Sequence, residues 1–201
     1  MLLDADDAQL VLVDFQARLM PALFQGEACL ANAMRLAQAA QLLGVPAWGT
    51  EQNPAKLGEN PAAMKALCRQ TLAKMHFSAC EEGLVEWLRP VVHAKPAGNA
   101  RSLPKHLQKP PAAAESPTAI VLAGVEAHVC LLQTALDLLD EAFDVWVVTD
   151  ACTSRTERNR DAAYDRLAAA GAELVTTEMV LFEWMRSAEH PQFKAVQALI
   201  K

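Results

Sequence analysis

Basic clusters are missing from this chain. Its 201 residues carry 18 Lys and Arg against 24 Asp and Glu, a formal net charge of −6, and no Lys/Arg block interrupts that balance. Such a surface argues against a nucleic-acid or anionic-membrane partner. Paired cysteines are missing as well. Cys29, Cys68, Cys80, Cys130 and Cys152 are scattered and odd in number, with no C-x-x-C pair and no Cys/His cluster at zinc spacing. Free thiols in a chain of this length point to a reducing compartment. No glycine-rich phosphate loop opens a helix, so no nucleotide site is signalled. No apolar run reaches the length of a membrane span. The opening MLLDADDAQL places acids where a signal peptide needs bases. The expected location is cytoplasmic, and no internal repeat is visible.

What is present is apolar and alternating. Hydrophobic residues make up 52% of the chain, enough for a sizeable core in a single domain spanning residues 1–201. Short apolar runs at 10–13, 45–50, 71–77, 118–123, 143–149 and 172–175 read as strands. Segments with helical period lie between them, at 27–43, 60–70, 81–88 and 128–142. A further helix runs to 170, with Ser154 and Glu157 placed as a capping box and Gly171 as its stop. Helical segments at 178–187 and 191–200 close the chain. Strands alternating with helices imply right-handed crossovers and a parallel sheet covered on both faces, a three-layer αβα class. Between residues 90 and 117 the pattern stops. Pro90, Pro96, Pro104, Pro110, Pro111 and Pro117 crowd a Pro/Ala-rich stretch. It reads as a surface excursion inside the domain, because the part before it holds too few strands for a sheet of its own.

Three residues stand out against this frame. Cys130 lies at a strand-to-helix junction, Gly124-Val-Glu-Ala-His-Val-Cys130. There a helix dipole favours thiolate, and open α/β folds bind their ligands at that edge. Asp14 ends the first strand at the same edge. Lys74 falls inside a strand, where a buried ammonium needs a partner that Asp14 can supply. A carboxylate to take the thiol proton, an ammonium to stabilise the thiolate and a helix N-terminus for the oxyanion make a nucleophilic device. Each residue also has a plain structural reading. Cys130 could be a core residue, Asp14 a cap, and Lys74 a side chain reaching solvent from the strand end. His128 lies two residues before Cys130, and residues so spaced on a helix do not face each other.

The order Asp14…Lys74…Cys130 resembles that of the isochorismatase-like cysteine hydrolases. Val-Asp14-Phe-Gln, Lys74-Met-His-Phe77-Ser78 and Gly124-Val-Glu-Ala-His-Val-Cys130 carry the likeness. Asp150-Ala-Cys-Thr-Ser-Arg155 and the closing His190-Pro-Gln-Phe-Lys add to it, and point to the isochorismatase-domain-containing branch. The likeness covers nearly the whole chain outside the proline-rich excursion. It implies a Rossmann-like six-stranded parallel sheet of the isochorismatase-like hydrolase fold, with an Asp–Lys–Cys triad at its carboxyl edge. By the same likeness Asp14 is the general acid/base, Lys74 the thiolate partner and Cys130 the nucleophile. It also implies a cis peptide between Val125 and Glu126, a bond costing on the order of 3 kcal/mol. That bond would aim the Glu126 amide, with that of Cys130, at an oxyanion. Phe15, Glu51, Gln52, Phe77 and His128 are the expected pocket lining.

Two departures narrow the activity. Nicotinamidases of the superfamily hold a metal through an Asp-x-His pair after the second strand. Here Thr50-Glu-Gln-Asn-Pro54 contains no histidine, so no metal and no cofactor is expected. Isochorismate hydrolases lack the cysteine, so Cys130 speaks against that vinyl ether as substrate. The expected activity is metal-independent hydrolysis of a small molecule at an amide C–N bond, through a thioester, in a homo-oligomer. The alternatives are an idle member acting by ligand or partner binding, and a thiol sensor with no resolving cysteine near in sequence.

Overall fold

Leu10, Val11, Leu12 and Val13 are all fully buried in the computed structural model, which describes residues 2–89 and 117–201. They belong to strand β1 (Ala8–Val13), and successive side chains leave it on opposite faces. Leu10 and Leu12 enter one core, Val11 and Val13 the other. Strand β4 (Ala119–Gly124) does the same, sending Val121 and Ala123 one way and Ile120 and Leu122 the other. Central strands buried on both faces produce continuous apolar runs rather than alternation. Each such side chain contributes roughly 1.5–3 kcal/mol by leaving water.

The remaining strands are β2 (Ala47–Gln52), β3 (Gln70–Lys74), β5 (Asp144–Cys152) and β6 (Glu173–Val175). All pair in parallel, in the order β3-β2-β1-β4-β5-β6. Helices α1 (Gly26–Leu43), α7 (Thr177–Met185) and α8 (Phe193–Leu199) cover one face, with Leu36, Leu181 and Val196 in its core. Helices α4 (Leu84–Leu88), α5 (Leu132–Asp140) and α6 (Glu157–Ala170) cover the other, through Leu84, Leu138 and Leu167. Two short helices, α2 (Pro54–Leu57) and α3 (Ala62–Lys65), lie between β2 and β3. This is the three-layer α/β class with a six-stranded parallel sheet. Chain direction across the sheet reverses between neighbouring β1 and β4. Open α/β sheets form their ligand crevice at such a switch point.

Several local readings shift. The expected helix over 60–70 shrinks to α3, because Asn60 is spent on the sheet edge. Its amide N–H donates to Glu51 Oε1 (2.8 Å) and its side chain to the Thr50 carbonyl (3.0 Å). Gly83, at φ 95°, splits the 81–88 segment into a 3-10 turn and α4. Thr156, not Ser154, caps α6, accepting from the Asn159 N–H at 3.2 Å. The helix expected from 128 opens instead as a π-helical turn, Ala127–Leu131, before α5. Such turns gather at functional sites. The proline-rich excursion expected at about 90–117 lies outside the described residues, apart from Pro117.

One close approach sets the crevice. Gly124 pairs with Val13 at the carboxyl end of β1 and β4. A Cβ on residue 124 would stand 2.6 Å from Val13 Cβ and 2.9 Å from the Val13 carbonyl oxygen. Only glycine lets the two strand ends meet this tightly.

Candidate active site

Three strands deliver polar side chains to the same edge in lateral order. Asp14 follows β1, Gln52 ends β2 and Lys74 ends β3, with Gln52 and Lys74 in register. The chain then turns abruptly. Asp14 (φ 59°), Asn53 (φ 38°) and Glu126 (φ 50°) follow β1, β2 and β4, all in the left-handed region. Left-handed non-glycine residues cost about 1–2 kcal/mol each and collect at functional sites. The loop after β1 is pinned to compensate. The buried Gln16 side chain donates to the carbonyls of Gln52 (3.0 Å) and Gly58 (2.5 Å) and accepts from the Gln52 N–H (2.7 Å).

Asp14 and Lys74 form an ion pair with no exposed side-chain surface, Nζ to Oδ2 2.8 Å. Burying both charges is costly, and their other contacts offset that cost. Asp14 Oδ1 accepts from the Thr50 hydroxyl at 2.7 Å. The Lys74 ammonium donates to Gln52 Oε1 (2.6 Å) and to the Phe77 (3.0 Å) and His76 (3.4 Å) carbonyls. Asp14 Oδ2 lies close to the ammonium but off the line of a hydrogen bond, so it keeps unspent acceptor capacity.

Cys130 comes to this pair from the π-helical turn, 5% exposed, with Sγ 3.9 Å from Gln52 Oε1. Its thiol is pushed up to about 12, first by burial and then by the Asp14 carboxylate, while the Lys74 ammonium pulls it down. Burial and the Asp14 carboxylate thus work against the thiolate that the helix end was expected to favour, and the Lys74 ammonium works for it. Burial also raises the other four cysteines, Cys68 to about 11 and Cys29 and Cys80 to about 12. Cys130 is distinguished by its neighbours, since it alone has a cation acting on its sulfur.

A cleft of about 400 Å³ opens over the sulfur. Leu19, Ala22, Leu57, Phe77 and Val129 form apolar walls, while Gln52, Glu126, Arg18 and Arg155 supply its polar groups. Its size falls within the usual range for small-molecule sites. Larger grooves flank α5 and the carboxyl end of β5, and another cavity lies at the amino edge of the sheet; none of these includes the sulfur.

Of the residues singled out in the sequence, Asp14, Lys74, Cys130, Gln52 and Phe77 come together here. Phe15 does not line the cleft; it is fully buried in the core beside α1, because the left-handed turn at Asp14 sends it inward. Glu51 points to the other side of β2, where it accepts from Asn60 and pairs with Lys65 at 3.5 Å. His128 stands outside the cleft wall, with Nδ1 3.0 Å from Ser154 Oγ and 3.4 Å from Glu126 Oε2. The peptide between Val125 and Glu126 is trans, correcting the expected cis bond; the left-handed Glu126 makes the turn instead. Among the described residues, no group of three or more His, Cys, Asp or Glu could hold a metal ion. Nor is any helix among the described residues long and apolar enough to cross a membrane. Thr50 and Gln16 were not singled out. Thr50 is signalled only by its position inside a strand, while Gln16 closes the Val-Asp14-Phe-Gln motif.

Comparison with known proteins identifies the family. Residues 8–179 match the model of the Isochorismatase domain. The chain is 38% identical over 169 residues to Isochorismatase domain-containing protein 2 of Bos taurus, covering 84% of this chain and 71% of that one. It is 32% identical to the protein of the same description from Danio rerio, over 95% of this chain and 85% of the relative. Among solved structures, MAR1 Ribonuclease from Caenorhabditis elegans superposes with TM-score 0.83 at 28% identity, covering 100% of this chain and 92% of that one. The YcaC gene product of Escherichia coli, described as an octameric hydrolase of unknown specificity, gives 0.81 at 26%, covering 98% and 88%. Matched over most of its length and carrying the fold of these hydrolases, the chain belongs to the isochorismatase family.

Proposed function

We propose that this protein is a metal-independent cysteine hydrolase that cleaves a C–N bond of a small amide. The observation that carries the reading is the buried Asp14–Lys74 pair, 2.8 Å apart, acting on the one thiol that opens into the apolar cleft. A neutral thiol needs a base at the moment of attack, and Asp14 Oδ2 has acceptor capacity left for that proton. As the Cys130 sulfur bonds to the amide carbon, its proton passes to Asp14 and the carbonyl electrons move onto oxygen. Lys74 opposes the build-up of negative charge, and the N–H groups of Glu126 and Cys130 are the proposed oxyanion donors. Collapse breaks the C–N bond, and the proton on Asp14 leaves with the amine. Water then attacks the thioester, giving a proton to Asp14, which returns it to the departing sulfur.

Gln52 and Phe77 line the proposed substrate pocket. A small molecule fits a cleft of about 400 Å³ and the net charge of −6 better than an RNA does. Assembly as a homo-oligomer and a cytoplasmic location complete the proposal. The first is supported by the octameric neighbour, the second by five free thiols. The test is ammonia release from a panel of small amides. Wild-type protein is expected to turn over at least one of them, and Cys130→Ala none. Turnover that survives Cys130→Ala overturns the mechanism.

A further inference from the structure

The charges around the cleft do not follow those of the chain. The protein as a whole is acidic, yet the charged residues lining the cleft are Arg18, Arg155 and Glu126. Glu126 is already matched, its Oε1 lying 3.0 Å from Arg155 Nε. The Asp14–Lys74 pair beneath is neutral as a unit. Arg18 is left as the excess charge, with no acidic partner within ion-pair distance among the described residues.

Arg18 is exposed at the rim and tied to α2. Its backbone N–H donates to the Leu57 carbonyl at 3.3 Å and its Nη1 to the Lys56 carbonyl at 2.5 Å. A guanidinium offers five N–H donors, and a single protein acceptor is recorded for this one. The rest of the fork remains available at the rim of a cleft whose walls are apolar and whose floor is Cys130. Anchored arginines with spare parallel N–H groups suit planar carboxylates, which they bind in bidentate fashion.

We infer that Arg18 is a specificity-determining residue that binds a carboxylate, so that the preferred substrates are amides carrying an anionic end across a short apolar chain. The inference rests on the amidase reading of the cleft for the word substrate, though the anion site itself does not require turnover. Monoamides of short dicarboxylic acids carry those two ends.

The experiment pairs glutaramate, which has one carboxylate and one amide, with the neutral diamide glutaramide. Binding is measured by calorimetry on Cys130→Ser, where no turnover interferes, and ammonia release is measured on the wild-type thiol. Glutaramate is expected to bind roughly tenfold tighter than glutaramide, the scale of one hydrogen-bonded charge. That preference should shrink as salt is raised. In Arg18→Gln it should disappear, and in Arg18→Lys it should return in part. Equal binding of the two compounds, binding of neither, or a preference that survives Arg18→Gln overturns the inference, whatever the ammonia assay reads. A preference for glutaramate with no ammonia from either compound upholds the anion site and counts against the amidase reading.

Discussion

At the scale of single residues, the candidate site is a buried thiol beside an ion pair, and each member responds differently to substitution. Cys130→Ala removes one buried sulfur and should abolish turnover while the melting temperature moves by only a few degrees. Asp14→Asn is informative because asparagine tolerates the left-handed region that Asp14 occupies at φ 59°. The turn therefore survives, while the proton acceptor is lost and Lys74 stays buried without its counter-charge. Turnover should fall by roughly 10²–10⁴-fold, and stability by about 3–5 kcal/mol, as when half of a buried pair is removed. Denaturant titration beside the ammonia assay separates the two effects. The thiol itself, pushed up to about 12 by burial and then by Asp14, makes a further claim. Alkylation of Cys130 by iodoacetamide should rise about tenfold per pH unit from pH 7 to 10, following the thiolate fraction. A rate that levels off below pH 8 would contradict a protonated resting state.

At the scale of elements, the site depends on how closely β1 and β4 end together. Gly124→Ala would place a Cβ 2.6 Å from that of Val13 and 3.0 Å from Leu131 Cδ1. Backbone and a β-branched side chain cannot yield cheaply, so overpacking should cost about 1–3 kcal/mol. Spreading the strand ends also separates Asp14 from Cys130, so activity should fall by more than the stability loss explains. The measurement is turnover at a temperature where the variant is fully folded. Beyond β3, the turn that presents the Phe77 carbonyl to Lys74 has its own clamp. Glu82 Oε1 accepts from the Met75 (3.0 Å) and His76 (3.2 Å) amides and lies 2.8 Å from His76 Nδ1. These contacts, the Met75 amide first, hold its carboxyl down to about 2. Glu82→Ala is therefore expected to lower kcat and, because those contacts exist only in the folded chain, to lower the denaturation midpoint at pH 7 as well.

At the scale of the whole molecule, the cysteines act together. Burial is the leading cause that raises all five above their ordinary value of 9.0. Between that value and the folded values, about 11 for Cys68 and about 12 for Cys29, Cys80 and Cys130, the folded chain binds more protons than the unfolded one. This contribution to stability is fully present below pH 9 and is lost as pH climbs through the folded values. Denaturation midpoints should hold steady from pH 7 to 8.5 and drop steeply from pH 9 to 11. A Cys68→Ala, Cys80→Ala double variant should flatten that drop.

Much of this was legible in one dimension. Apolar runs alternating with helical periods identify a doubly covered parallel sheet, because buried strands and amphipathic helices impose different repeats on a sequence. Asp14 could be picked out where an apolar strand ends, Lys74 as a charge inside a strand and Cys130 as a thiol at a strand-to-helix junction. Sequence alone was less able to say which way a chain leaves a strand. The left-handed turn at Asp14 buries Phe15, and the one at Glu126 makes a cis peptide unnecessary; neither conformation leaves a trace in residue type. Nor could it weigh burial against a helix end at the Cys130 sulfur, since that balance depends on how many neighbours exclude water. Residue identity and period determined the fold and the list of reactive groups. Tertiary packing decided their burial, their partners and the charge of the cleft, because those depend on distances between residues far apart along the chain.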